Sequence, residues 1–401
     1  MDRRAFLKGA ALVAGGALVG TTAGPRAMAA PTPGVGPYGP LLAANGDGLH
    51  LPAGFTSRLL AVSGQPIAGT SFTWHFAPDG GACMARPGGG WVYVSNGEPG
   101  KGGGGVGVIA FDTDGTVVDA YSILHGTNRS CSGGMTPWGT YLSGEENGSV
   151  GRVFECDPLR GGQGVHRPAL GAFAHEMCAV DPLSGTVYLV EDDPAGRLYR
   201  FVPTVADDLT AGQLFAASVV RDSVVNGTIV KNKVTWVPVS PTAPARGSTT
   251  TAFQGAEGAW ILNGSLYFTT KIDVRVWRLE LATQQLSVFY DFHATPDASL
   301  DAVDNIVGHA GSGDLFVAED GGNLELGLLT TVGSSEVAPF LRFVGHDQSE
   351  VTGIAFNPAG NRLYLSSQRG TDGSTGRTYE VRGPFRTQPR RRIPIPRRRW
   401  V

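Results

Sequence analysis

A short phrase recurs along the chain at nearly constant intervals, and this repeat constrains the fold more than any other feature. Each copy is an apolar segment with a central aromatic residue, followed directly by polar residues. Aligned on that aromatic residue, the copies follow one another at intervals of 48, 47, 79, 49 and 48 residues. The aligned residues are Tyr93, Tyr141, Tyr188, Tyr267, Phe316 and Tyr364. A period of this length predicts a repeat architecture in which each unit covers the apolar face of its neighbour.

A second phrase, with a polar first residue, precedes each aromatic residue by 10 to 14 residues and indicates a partner strand. Pro/Gly turns such as residues 181–185 and 357–360 join the two strands into hairpins, and a third strand is visible at residues 197–202. Six such units predict an all-β fold, a six-bladed β-propeller. The long interval holds one ordinary unit plus an insertion at about residues 207–248. A two-domain β-sandwich protein is the alternative.

The composition fits a turn-dense β protein, because 41% of residues are hydrophobic, 17% are charged, and the chain has 59 Gly and 26 Pro. Its net charge of −3 conceals an uneven distribution, since residues 31–381 alone carry an excess of acidic side chains. Such an acidic body disfavours nucleic acid as a partner and tolerates bound cations. We expect a monomer whose partner is a small molecule.

The two ends of the chain differ from the body between them. Residues 1–29 combine Arg3 and Arg4 with a short apolar run and a small-residue box, the pattern of a twin-arginine signal peptide. The run is shorter than the roughly 20 residues that span a bilayer, which disfavours the alternative of a membrane anchor. We therefore expect export to the periplasm, cell wall or medium, a single domain at residues 30–381, and no transmembrane segment. Residues 382–401 carry eight arginines and no acid, which predicts a disordered tail with weak contact to the cell envelope.

Four cysteines remain after cleavage of the signal peptide. They are Cys83, Cys131, Cys156 and Cys178. None has the CxxC spacing of a zinc site, and one disulfide is possible without a readable pairing.

In a propeller the first strand of every blade lines the central channel, so the polar residues that open the second phrase converge on one mouth. These residues are Asp79, Cys131, His175 with Glu176, Glu257, Asp304 and Glu350. Crowded carboxylates repel one another unless cations bind between them. Oxygen ligands suit Ca²⁺ or Mg²⁺, whereas a thiolate among them indicates a transition metal such as iron. The alternatives are a ring of exposed turn acids, and a core role for His175.

The ends of the aromatic strands add further acids, not all of which need to face the same mouth. They are Glu98, Glu145, Glu146, Glu191, Asp192, Glu319 and Asp320.

Residues 131–146 read Cys-Ser-Gly-Gly-Met-Thr-Pro-Trp-Gly-Thr-Tyr-Leu-Ser-Gly-Glu-Glu. This segment resembles the signature of PhoX-type alkaline phosphatases, and shorter matches extend the resemblance over about residues 45–380. The resemblance implies an exported six-bladed propeller that hydrolyses phosphate monoesters at two irons bridged by a cysteine, with calcium nearby. It makes Cys131 the bridging thiolate, Glu146, Glu176 and Glu257 iron ligands, and Glu191, Asp304 and Asp320 candidates for calcium.

The chain also departs from the phosphatases that it resembles. They carry a phosphate-contacting arginine two residues before the glutamate that matches Glu257, where this chain has Gly255, and they tend to have histidine at the position of Gly97. The mature chain is also shorter. We therefore keep two functions open: a secreted metal-dependent phosphoesterase acting on a small phosphate ester, and a catalytically inactive, metal-braced propeller that binds a cell-envelope ligand.

Overall fold

The computed structural model of the chain describes residues 31–225, 228–331 and 335–387. This part is built almost entirely of β-strands, in a β-propeller-like fold, and it contains no helix long and apolar enough to cross a membrane. The predicted signal peptide and most of the predicted tail lie outside the described residues. Within the described residues, three short 3₁₀ helices occur at Gly148–Val150, Pro168–Leu170 and Phe292–Ala294.

Two four-stranded antiparallel sheets follow three strands at the start of the described chain. The opening strands are β1 (Thr32–Pro33), β2 (Leu49–His50) and β3 (Thr56–Val62). The first sheet consists of β4 (Pro78–Ala85), β5 (Trp91–Gly97), β6 (Gly104–Phe111) and β7 (Val117–Thr127). The second sheet consists of β8 (Ser130–Met135), β9 (Tyr141–Glu145), β10 (Val153–Cys156) and β11 (Val165–His166). Within each sheet the spatial order is the chain order, as expected for consecutive hairpins.

A nine-stranded sheet comes next and consists of two meanders joined edge to edge. Its strands are β12 (His175–Val180), β13 (Val187–Glu191), β14 (Leu198–Val205), β15 (Asp208–Val225), β16 (Thr228–Pro238), β17 (Ala256–Leu262), β18 (Ser265–Thr270), β19 (Arg275–Glu280) and β20 (Gln285–Asp291). The predicted insertion holds the long β15–β16 hairpin, and β16 pairs with β20 to join the two meanders.

The last two sheets include the first three strands of the described residues. They are formed by β21 (Val303–Gly308), β22 (Leu315–Glu319), β23 (Glu325–Leu329) and β24 (Glu336–Phe343), and by β25 (Val351–Phe356), β26 (Arg362–Ser367) and β27 (Arg377–Arg382). Strands β1 and β2 pair with β24, and β3 pairs with β27. A sheet that combines β3 with β25–β27 holds the two ends of the body together.

The innermost strands line the centre of the molecule. Each of β4, β8, β12, β17 and β21 contacts the next in that order, and β25 contacts β4 again. Apolar side chains fill the space between neighbouring sheets; for example, the rings of Tyr93 and Tyr364 stack at 5.0 Å. Burial of these faces stabilises the fold.

The packed body continues past the boundary predicted at residue 382. Phe385 is buried and contacts Phe55 and Phe340, and Arg386 forms an ion pair with Asp314. Residues 383–387 therefore belong to the body rather than to the tail.

Candidate metal centre

Every innermost strand carries a β-bulge near its first residues, where the register with its partner strand shifts by one residue. In β4 the shift falls between Pro78 and Gly81, opposite Gly97 and Ser95. A bulge bends the strand and redirects a side chain. The bulged stretches start at, or one residue before, Asp79, Cys131, Glu176, Glu257, Asp304 and Thr352. The same local distortion thus occurs at the equivalent position of all six inner strands.

The first residue after each second strand forms a matching set. In each repeat the N–H of this residue donates to the carbonyl of the residue that lies two positions before Asp79, Cys131 or their equivalent. For example, Glu146 donates to Arg129 at 2.8 Å and Asp192 donates to Ala174 at 3.1 Å. The six residues in this position are Glu98, Glu146, Asp192, Lys271, Asp320 and Gln368. Because the backbone contact is the same in all six units, these positions are structurally equivalent.

Ligand atoms of eight residues from the two sets, together with Glu350, form four overlapping groups, and within each group the atoms lie within 4.8 Å of one another. These groups are Glu98, Cys131 and Glu146; Asp79, Glu98 and Glu350; Glu146, Glu176 and Asp192; and Asp304, Asp320 and Glu350. We call these nine residues the acidic cluster. It brings together five of the predicted site residues, Cys131, Glu146, Glu176, Asp304 and Asp320. Cys131 Sγ also lies 3.5 Å from Asp79 Oδ2.

Glu191, predicted as a candidate calcium ligand, lies outside the acidic cluster. Its carboxylate accepts hydrogen bonds from Arg246 at 2.8 and 3.0 Å and from the Tyr199 hydroxyl at 2.8 Å. These donors occupy its oxygens inside the sheet. The structure places the next residue, Asp192, in the cluster instead.

Glu257 is near the cluster but has a partner of its own. Its Oε1 lies 2.7 Å from Nζ of Lys271, which also lies 2.8 Å from Oδ2 of Asp192. The iron ligand predicted here is therefore held in an ion pair.

Burial makes the cluster electrostatically costly without cations. Asp79 is 2% exposed and Glu176 is 4% exposed, so the alternative of exposed turn acids is wrong for these residues. Burial, followed by repulsion from neighbouring carboxylates, raises the pKa of Asp79 and of Glu176 well above the usual range. The same causes raise the pKa of Glu146 to about 7, and burial with the charge of Asp79 raises that of the Cys131 thiol.

The donor set fits metal ions, and an unpartnered amide oxygen supports this. The Gln368 side chain donates through Nε2 to Asp79 at 2.6 Å and to Glu98 at 3.0 Å. Its Oε1 is buried and has no hydrogen-bond partner. Carboxylate and amide oxygens suit hard cations, and the thiol at one edge suits a transition metal. A buried polar atom without a partner is costly, so a cation at this position would stabilise it.

His175 takes the core role rather than the ligand role. It is buried against the ring of Phe173, and its Nε2 lies 3.0 Å from the Gly171 carbonyl. Burial lowers its pKa to about 3.

All four cysteines of the described chain are free, so none forms a disulfide. Cys83 and Cys178 line a separate, mainly apolar cavity of about 310 Å³ that the inner strands enclose. Cys131 is thus the thiol of the acidic cluster.

Sequence reasoning missed Lys271 and Gln368, although the repeat contained a signal for both. Each lies four residues after the aligned aromatic residue of its unit, as Asp192 and Asp320 do. It also missed two arginines at the rim: Arg129, whose charge acts on Glu98 and Glu146, and Arg369, which lies 2.9 Å from Glu350.

Comparisons with known proteins support the β-propeller-like fold. The family model of alkaline phosphatase PhoX matches residues 103–265. PhoX of Pseudomonas fluorescens, solved in complex with vanadate as a transition state analogue, superimposes with a TM-score of 0.68 at 17% identity, covering 84% of this chain and 96% of that chain. A gluconolactonase of Xanthomonas campestris, XC5397, gives a TM-score of 0.50 at 14% identity, covering 87% and 98%. A search of curated proteins finds no significant match.

Proposed function

The predicted resemblance to PhoX-type alkaline phosphatases is confirmed, and we propose that this protein is an exported, metal-dependent phosphoesterase that hydrolyses small phosphate monoesters. The observation that supports this most directly is the acidic cluster, which joins a thiol to buried carboxylates at one channel mouth. The family match covers the part of the chain that contributes Cys131, Glu146, Glu176 and Asp192.

We further propose how the cluster divides between metals. Cys131 with Glu146 and Glu176 would hold iron, because these residues combine the thiol with adjoining carboxylates. Asp304 and Asp320, with Glu350, offer only oxygen atoms and would hold calcium. When bound, such ions neutralise the phosphate, stabilise the charge of the transition state and activate the attacking water.

The chain's own residues would bind and orient the ester. The carboxylates would keep the reacting end of the site rigid, since the backbone of each set is held either at a bulge or by a hydrogen bond at the strand end. Arg129 and Arg369 stand at the rim, where a guanidinium group can hold a phosphate oxygen in two hydrogen bonds. They would supply the positive charge that Gly255 does not.

The six-bladed count and the route of export are also part of this proposal. If the two meanders of the nine-stranded sheet are counted separately, the described strands form six units, each with one inner strand. Residues 1–29 would direct the folded protein through the twin-arginine pathway, which suits an enzyme loaded with metal before export.

Metal analysis and an ester assay test the function together. We expect purified mature protein to contain iron and calcium and to hydrolyse a chromogenic phosphate monoester, with activity lost on chelation. A Glu176→Gln variant should lose metal and activity, whereas Asp157→Asn, at an exposed turn, should keep both. Bound metal without turnover of phosphate mono- or diesters would instead favour the metal-braced binding protein.

A further inference from the structure

Lys271 stands where four of the six units place an acid. Its N–H donates to the Gly255 carbonyl at 2.8 Å, the same contact that Glu98, Glu146, Asp192 and Asp320 make in their own units. The chain therefore presents a fixed positive charge at a position that otherwise contributes to the acidic cluster.

The ammonium group of Lys271 lies between carboxylates from two different units. Its Nζ is 2.7 Å from Glu257 Oε1 and 2.8 Å from Asp192 Oδ2. The Lys271 side chain is 35% exposed, whereas that of Glu257 is 3% exposed. A cation that lies between two carboxylates reduces their mutual repulsion, as a bound metal ion would do elsewhere in the cluster.

The absence of a side chain at Gly255 leaves space for the side chain of Lys271. Its φ of +59° lies in the left-handed region that favours glycine. A Cβ added there would lie 2.9 Å from Cγ of Lys271 and 3.2 Å from Cγ1 of Ile272. A side chain at position 255 would therefore collide with the present path of the lysine, which links the absence of an arginine at this position to the presence of Lys271.

We propose that Lys271 is a built-in cation that replaces a metal ion between Asp192 and Glu257. The metal ions are then confined to the other parts of the acidic cluster, and Glu257 is a partner of Lys271 rather than an iron ligand. In agreement, Glu257 belongs to none of the four candidate metal groups of the described residues. This inference rests on the proposed function only in that the remaining cluster binds metal.

The test compares Lys271→Met with wild type, and Lys101→Met serves as the control because Lys101 is exposed in a turn. In metal-depleted protein we expect Lys271→Met to lower the Tm by about 5 °C or more, because Glu257 loses its counter-charge, while the control is unchanged. With saturating calcium, we expect Lys271→Met to bind about one more ion per chain than wild type and to regain its Tm.

An unchanged metal-free Tm in Lys271→Met, or fewer bound ions than in wild type, would overturn the proposal. If Lys271→Met does not fold without metal, the double variant Lys271→Met/Glu257→Gln should fold and bind no additional ion, because it removes both charges of the pair. Failure of the double variant to restore folding would also count against the ion pair. Wild-type protein without any bound metal would refute the proposed metal centre, yet the metal-free comparison of the variants would still decide the role of Lys271.

Discussion

Glu191 and Asp192 are consecutive residues whose carboxylates serve different parts of the molecule. Glu191 ends β13 and binds Arg246 at 2.8 Å, while Asp192 follows the strand and lies in the acidic cluster. Successive side chains of a strand point to opposite faces. The last residue of the strand therefore contacts an arginine of its own sheet, whereas the next residue lies in the cluster at the channel mouth. Glu145 and Glu146 divide in the same way: Glu145 binds Arg152 at 2.7 Å, and Glu146 joins the cluster.

This division predicts that amide substitutions at the two neighbouring acids have different effects, one on stability and the other on metal content. Glu191→Gln should lower the free energy of unfolding by about 1–3 kcal/mol, because the paired Arg246 and Tyr199 lose a charged acceptor, and should leave metal content unchanged. Asp192→Asn should fold normally and lower the metal content at the group that Asp192 forms with Glu146 and Glu176. Denaturant titration and metal analysis of both variants measure these effects, and equal metal loss in the two variants would contradict the assignment.

Cys131 gives the sharpest test of the metal centre. Cys131→Ser should remove iron and abolish hydrolysis while the propeller still folds, because a thiolate is the softest ligand of the cluster. Cys83→Ser is the matched control, since Cys83 lies in the neighbouring inner strand but lines the apolar cavity. Iron content and the circular dichroism spectrum decide the outcome; unchanged iron in Cys131→Ser would exclude it as a ligand.

The sequence was sufficient to predict the β-propeller-like fold and most of the cluster, because both follow from a local pattern. Each aromatic strand packs between sheets, and each polar opener precedes it at a similar distance, so the repeat alone aligned Cys131 with Glu176 and Asp304. The resemblance to PhoX rested on the same segments.

The position of Glu191 outside the acidic cluster and the ion pair of Lys271 could not be predicted in this way. Which of two adjacent acids faces the mouth depends on where the strand ends, and the Arg246 that binds Glu191 lies 55 residues away in sequence. Likewise, the pair of Glu257 and Lys271 joins strands whose ends meet only in the folded sheet. Neither the counter-charge nor the strand end can be read from composition or spacing.

The raised pKa values predict an unusual pH dependence of stability in the metal-depleted protein. Burial and neighbouring acids raise the pKa of Glu146 from 4.5 to about 7 and that of Asp304 from 3.8 to about 7. Between the unfolded and the folded pKa these two groups hold more protons in the folded chain, so their contribution to stability is fully present below about pH 4 and is lost as the pH rises through about 7.

Thermal unfolding of metal-depleted protein measures this effect. We expect the Tm to fall by about 5 °C or more between pH 5 and pH 8, with a smaller fall in Asp304→Asn. Calcium should raise the Tm more at pH 8 than at pH 5, because its ligands must be deprotonated. A Tm that rises across this window would show that the acids are not held in the protonated form.

Arg129 is the residue that we expect to contact the phosphate group at the rim. It precedes Cys131 by two residues, the same offset that separates Gly255 from Glu257, and it is exposed with a left-handed φ of 52° that is uncommon for a residue other than glycine. This backbone directs its carbonyl to the N–H of Glu146 at 2.8 Å.

Arg129→Ala should therefore raise KM for the ester and the inhibition constant of inorganic phosphate about tenfold or more, because a charge-assisted hydrogen bond contributes about 1.5–3 kcal/mol. Metal content should not change, and Arg160→Ala, whose side chain is 85% exposed in a turn, should leave both constants unchanged. If Arg129→Ala binds phosphate as wild type does, the positive charge at the rim must come from Arg369, which Arg369→Ala would then reveal by the same two constants.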